Sequence, residues 1–172
     1  MHTVRLGFER FSEISLYSAI GETGVYVLWS PKAQHRPTYI GEGWVLARLV
    51  EHQQTYGQRV DGYFAAADRD LTVKQAKRDQ EIAEAALIVV GKMTGRNPRH
   101  NRNAGHVRRI LELAGRHGVL KVVVQGRDPF QPPESPQSKL RGPRTIRFDL
   151  DGLYDGMDDL AEVIHHPWRT TR

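Results

Sequence analysis

Two short β-favouring runs on either side of a proline-containing segment constrain this chain most. Residues 25–29 read Val-Tyr-Val-Leu-Trp and residues 38–40 read Thr-Tyr-Ile, while residues 30–37 between them hold two prolines among mostly polar side chains. Aromatic and β-branched residues suit the pleated surface of a strand, and proline interrupts it. The spacing predicts an antiparallel hairpin. Gly21-Glu22-Thr23-Gly24 supplies turn chemistry before the first strand, and Gly41-Glu42-Gly43 is expected to end the second.

The pattern around the hairpin is mixed. Residues 3–8 alternate loosely and predict a strand, and residues 12–20 a short helix with Ser12 as its cap. Val45, Leu46, Leu49 and Val50 keep helical spacing, which predicts an amphipathic helix over 44–56. Residues 60–67 predict a third strand around Tyr63 and Phe64, and 71–90 a long helix capped by Asp70. A polar, basic loop over 91–105, a helix over 106–117 and a buried strand over 120–124 follow. Residues 127–143 contain five prolines and read as a linker or mobile loop. Beyond it, 145–150 reads as a strand and 157–164 as a helix. The expected fold class is α+β, a small mixed or antiparallel sheet flanked by helices with a C-terminal extension. The expected division is an N-terminal extension over 1–20 packing on a core domain over 21–125, a proline-rich linker over 126–144 and an appendage over 145–172.

Composition narrows the partners. The chain of 172 residues is 39% hydrophobic and 26% charged, the range of an ordinary globular domain. No stretch approaches the roughly 20 consecutive apolar residues of a membrane span. Charges at Arg5, Glu9 and Arg10 stand where a signal peptide has its apolar run, so a cytoplasmic protein is the expectation. With no cysteine there is no disulfide, thiolate metal site or thiol nucleophile. The net charge of +5 points to an acidic partner, and 19 of the 25 Lys and Arg residues are Arg, whose guanidinium forks onto phosphate oxygens. Residues 92–116 hold seven of these cations against the single acid Glu112. Residues 149–162 hold six acids and no Lys or Arg, so that segment is expected away from any nucleic-acid groove.

Several polar residues stand at readable positions on these elements, Glu84 first. At about 100° per residue, Ile82, Ala83, Ala86, Leu87 and Val90 form one helical face and Glu84 falls about 60° beyond Leu87. An edge carboxylate can reach a cleft while its helix stays packed; Glu81 lies farther out. Arg48 and His52, four apart, project from one side of the first long helix. Arg48 is always protonated and suited to a phosphate, and His52 can hydrogen-bond or exchange a proton near neutral pH. Tyr26 and Tyr39 lie on neighbouring strands of the hairpin.

This ordered set, Gly24-Val25-Tyr26, Tyr39-Ile40-Gly41, Arg48, His52, Glu84 and Asn101, resembles the GIY-YIG nuclease family. Glu84-Ala85-Ala86-Leu87-Ile88 looks like that family's Glu-x-x-Leu-Ile run, Arg48 with His52 its Arg-x-x-x-His, and Pro98 to Asn101 its Pro-x-x-Asn segment. The resemblance covers residues 24–101. It implies a metal-dependent endonuclease acting on DNA, with one Mg²⁺ or Mn²⁺ held by Glu84. Tyr39 or Tyr26 would be the base, Tyr39 favoured, and Arg48 would stabilise the phosphate. Asn101 would hold a phosphate oxygen or brace the active-site loop. Products would carry 5′-phosphate and 3′-hydroxyl ends. Arg99, Arg102, Arg108 and Arg109 are the expected backbone-binding cations. One departure stands out: many relatives carry Lys after the Tyr-Ile-Gly string, where this chain has Glu42.

Other readings are weaker. His100, Asn101 and His106 invite a ββα-metal nuclease, but the segment before His100 reads as a loop, not a strand. His165-His166 reads as paired surface residues, and no delivery segment marks a secreted toxin. The rival of a different class is a GIY-YIG fold used as a DNA-binding module with little or no catalysis, which Glu42 in place of Lys permits.

Overall fold

The computed structural model describes residues 1–13, 21–30, 35–56, 61–98, 101, 105–156 and 159–169, with the side chains of residues 52, 53 and 56 excepted. Seven strands form one mixed sheet: β1 (His2–Arg10), β2 (Thr23–Trp29), β3 (Tyr39–Trp44), β4 (Asp61–Ala66), β5 (Val119–Gly126), β6 (Arg144–Asp149) and β7 (Ile164–His165). Their order is β3-β2-β4-β1-β5-β6-β7. Five α-helices accompany them among the described residues: α1 (Val45–Tyr56), α2 (Val73–Met93), α3 (His106–Ala114), α4 (Leu150–Tyr154) and α5 (Leu160–Val163). The protein is therefore α+β. None of the described helices is long and apolar enough to cross a membrane.

The hairpin forms as expected, with Tyr26 opposite Gly41 and Leu28 opposite Tyr39. Strand β3 does not stop at its glycines, however. It continues to Trp44, because Gly24 pairs with Gly43 and Thr23 with Trp44. Both faces of β2 are covered, which is why that strand reads as an unbroken apolar run. Val25, Val27 and Trp29 join the main core beneath α2, while Tyr26 and Leu28 join a second cluster with Val45 and Phe64, against which Leu49 of α1 packs.

Helix α2 begins later than expected and is capped differently. Thr72 accepts a hydrogen bond from the Gln75 amide and the Gln75 side chain returns to Thr72, a capping box. Asp70 is not the cap; its amide donates to Asp68. The helix runs on to Met93, beyond the expected end at residue 90, and Thr94 closes it by donating its hydroxyl to the Val90 carbonyl. Residues 85–91 are buried without interruption, so α2 is a core helix over its second half, held between the sheet and α3. Helix α3 stops at Ala114, earlier than expected, because Gly115 turns the chain with φ +96°.

The greatest departure concerns the ends of the chain. Strand β1 is no extension: it lies inside the sheet, parallel to β5 from His2 to Phe8 and antiparallel to β4 at Glu9 and Arg10. Toward residue 4 the strands β1 and β4 part, and a cavity of about 170 Å³ opens there against Asp79 and Gln80. The segment expected as a linker is packed. Asp128 is fully buried, bonded to Arg144 (2.7 Å), to the Trp168 indole N–H (2.9 Å) and to the Phe130 amide (3.0 Å). The Pro129 carbonyl accepts from Trp29, and the Gln131 carbonyl accepts from Tyr63. Prolines shape this segment without loosening it, since buried polar partners hold each turn. Strands β6 and β7 likewise extend the same sheet, so residues 145–172 form no separate appendage as far as they are described. Residues 160–163 are helical but Ile164 is already in β7, because it pairs with Phe148. Of the helix expected over 12–20, Ser12 and Glu13 form part of a 3₁₀ turn; residues 14–20 lie outside the described residues.

Candidate functional site

The edge of the sheet at β3 is where the chemistry-bearing side chains gather. Alternation along the hairpin puts Tyr26 and Tyr39 on one face of it, diagonal to each other across the strand pair. Their rings stack with centroids 6.0 Å apart and planes 23° from parallel. Gly41 lies between them. A Cβ at that position would fall 2.5 Å from Tyr39 Cε1 and 2.6 Å from the Tyr26 hydroxyl. The glycine is therefore needed so that both rings can lean over the strand. Gly24 has a similar reason: a Cβ there would meet the Ala65 carbonyl at 2.1 Å. The two motif glycines are conditions for packing the tyrosines and the neighbouring strand.

The Tyr26 hydroxyl marks the centre of the site. Its pKa is pushed well above that of an ordinary phenol, first by burial and then by Tyr39, with Glu84 and Glu42 acting in the same direction and Arg48 against them. Side chains from β2, β3, α1 and α2 thus converge within electrostatic reach of one hydroxyl. Arg48 comes from α1 and is half exposed, ion-paired to Glu51 at 2.7 Å. That pair is solvated and one turn apart, so it holds the guanidinium loosely.

Glu84 comes from α2, half-buried at the rim of the buried face as its rotation predicts. Its pKa is raised to about 7, chiefly by burial and then by Glu42, while Lys77 and Arg109 act in the opposite direction. The Glu42 carboxylate receives the Lys77 ammonium at 2.5 and 2.6 Å. Arg109 from α3 binds Glu81 at 2.7 Å, and Lys77 also approaches Glu81 at 3.8 Å. The result is an alternating cluster of three carboxylates and two cations around Glu84. Lys77 was not singled out in the sequence, although Lys77, Glu81 and Glu84 at i, i+4 and i+7 mark one helical stripe. It brings a cation from the helix to the Glu42 carboxylate of β3.

Asn101 is a brace. Its Oδ1 accepts from the Ile40 amide and its Nδ2 donates to the Ile40 carbonyl, both at 2.8 Å. The side-chain amide imitates a neighbouring strand at the free edge of β3, using one donor and one acceptor on the backbone. It can do so because the turn after α2 is itself fixed, the Arg96 amide bonding to the Gly91 carbonyl at 2.7 Å and Pro98 buried against Gly91.

The remaining expected residues are placed unevenly. His52 follows Arg48 by one turn of α1, and its side chain lies outside the described residues, as do Arg99 and Arg102. Arg108 and Arg109 stand exposed on α3 and share Glu112 as a partner. The acidic run over 149–162 begins at the end of β6, five strand spacings from β3, or about 24 Å along the sheet. Among the described residues no group of three or more His, Asp or Glu side chains could hold a metal.

The site can hold a carboxylate that ionises near neutral pH beside two phenols and an unburied guanidinium. No family model, curated protein or solved structure matches this chain.

Proposed function

We propose that this chain is a metal-dependent endonuclease of the GIY-YIG type that hydrolyses phosphodiester bonds in DNA. The observation that carries the reading is the convergence of Tyr39, Arg48 and Glu84, from three separate elements, on the Tyr26 hydroxyl. A binding surface has no need to bury a carboxylate beside phenols at a sheet edge, because a carboxylate repels phosphate.

The donor set fits Mg²⁺ or Mn²⁺. Such ions keep several waters and take one or two protein carboxylates with the substrate phosphate, and Glu84 offers one crowded by Glu42 and Glu81. A divalent cation held by Glu84 supplies charge neutralisation at the scissile phosphate. The protein's own residues perform the rest. Arg48 neutralises charge that grows on the phosphate oxygens, which its loose pairing with Glu51 leaves it free to do. Tyr26, buried and held protonated, stacks against the Tyr39 ring and so helps to orient it. Tyr39, half-buried on the same face and within electrostatic reach of the Arg48 cation, is the phenol that would act as its phenolate and take the proton from the attacking water. As the water oxygen bonds to phosphorus, the bond from phosphorus to the 3′ oxygen breaks and that oxygen takes a proton from solvent, leaving a 5′-phosphate and a 3′-hydroxyl. Asn101 keeps β3 and hence Tyr39 in register through Ile40.

The test is cleavage of supercoiled plasmid with Mg²⁺, Mn²⁺ or EDTA. We expect metal-dependent nicking or linearisation that disappears in Glu84→Ala while salt-sensitive DNA binding persists. A Glu84→Ala protein that still cuts removes Glu84 as the metal ligand. Binding without cleavage by the wild type turns the reading toward a DNA-binding module. A proton on Glu84 near neutral pH is the feature that favours that second reading.

A further inference from the structure

Trp44 is unlike the other two tryptophans of the chain. Trp29 and Trp168 are 3% and 4% exposed, whereas Trp44 is 60% exposed on the edge strand of the candidate site. Tryptophan has the largest apolar side chain, and leaving it in water forfeits the burial that Trp29 and Trp168 obtain. Its position is specific. It is the last residue of β3, two residues beyond Glu42 and four before Arg48. Four residues of helix correspond to about 6 Å, within about two nucleotide steps of a DNA strand, which rises about 3.4 Å per nucleotide. Two carboxylates in this part of the sheet edge are ion-paired. Glu22, whose carbonyl accepts from Val45, carries Arg69 at 2.5 Å, and Glu42 carries Lys77. Neither carboxylate is therefore left bare to repel a phosphate chain.

We propose that Trp44 is a stacking platform for an unpaired base of the substrate, adjacent to the phosphate engaged by Arg48. This rests on the nuclease reading and deepens it. In an intact duplex both faces of every interior base are occupied by neighbouring bases. An indole can reach a face only where the stack is already open, or by itself opening it against the stacking of the duplex. Stacking on an exposed aromatic is tolerant of base identity, since every base presents a π-face. The substrate class is thus DNA with an unstacked nucleotide beside the cut, such as a single strand, flap or bulge, and not uninterrupted duplex.

Because Trp44 is the exposed member of three tryptophans, its emission reports the contact directly. The full chain in EDTA is titrated with a short oligothymidine and with an uninterrupted duplex, and fluorescence and affinity are followed together. We expect the single strand to quench the exposed emission in wild type and not in Trp44→Phe. Trp44→Ala is expected to lower single-strand affinity about tenfold while leaving duplex affinity unchanged, and Trp44→Phe to restore most of it. Unquenched emission with wild-type single-strand affinity in Trp44→Ala overturns the stacking platform while the nuclease reading stands on its own plasmid assay. An emission that shifts to the blue with protein concentration alone overturns it in favour of a contact between two copies of the chain. Absence of binding to either DNA form, together with an uncut plasmid, overturns both readings.

Discussion

Glu84 illustrates what a candidate functional position costs its own fold. Its ordinary carboxyl pKa of 4.5 is raised to about 7 in the folded protein, so between these values the folded state binds more protons than the unfolded chain. Stability associated with this group is complete below about pH 4.5 and is lost as pH rises toward 7. The loss is about 3 kcal/mol once the carboxylate is fully ionised. Glu84→Gln in EDTA should therefore stabilise the protein by about 1–3 kcal/mol at pH 8 and change it little at pH 4.5, as read from urea unfolding midpoints. An equal shift at both pH values would place the effect in packing and not in charge. The helical rotation placed Glu84 at the edge of its face correctly. The neighbours that set its charge state, Glu42 from a strand and Lys77 from the preceding turns of the helix, were invisible to it. Electrostatic partners are a matter of distance in space, and only the Lys77-Glu81-Glu84 spacing hinted at them.

At the scale of elements, the site depends on the free edge of β3. A strand edge leaves backbone donors and acceptors unpaired, and here one residue of that edge is occupied by an amide side chain. Asn101→Asp tests this arrangement. The replacement keeps the acceptor for the Ile40 amide but points a second oxygen at the Ile40 carbonyl, so a stability loss of about 2–3 kcal/mol is expected, with faster hydrogen exchange at the Ile40 amide. A residue whose role was to hold phosphate would lose cleavage and leave both stability and exchange unchanged. The hairpin, α1 and α2 were legible because their apolar residues follow the strand and helix periods. The continuation of β3 through Gly41 and Gly43 was not. Glycine reads as a strand terminator in a sequence, whereas here it gives way to two tyrosine rings crossing the strand. The cap of α2 was written in the sequence as Thr72-x-x-Gln75, a more complete signal than Asp70 alone.

At the scale of the whole molecule, Asp128 joins parts that the sequence suggests are separate. It sits fully buried in the proline-rich segment, and its bonds to Arg144 and Trp168 join that segment to β6 and to the C-terminal region. Phe130 and Trp168 meet edge to face at 5.2 Å beside it. Asp128→Ala leaves a guanidinium, an indole N–H and an amide without their acceptor, and a loss of about 3–5 kcal/mol is expected from chemical denaturation. If the segment were a linker, the same substitution would change stability by less than about 0.5 kcal/mol.

The sequence alone determined the local elements and the order of the polar residues that define the candidate site. Periodicity and turn chemistry act between residues a few positions apart, and both can be read along a line. Tertiary structure decided that β1 lies inside the sheet, that residues 127–143 are anchored in the fold through buried Asp128, Phe130 and Ser138, and that Asn101 completes an edge strand 61 residues away. Each of these is a pairing of hydrogen-bonding groups far apart in the chain. Backbone donors and acceptors are the same at every residue, so their partners are chosen by the packing of the whole molecule.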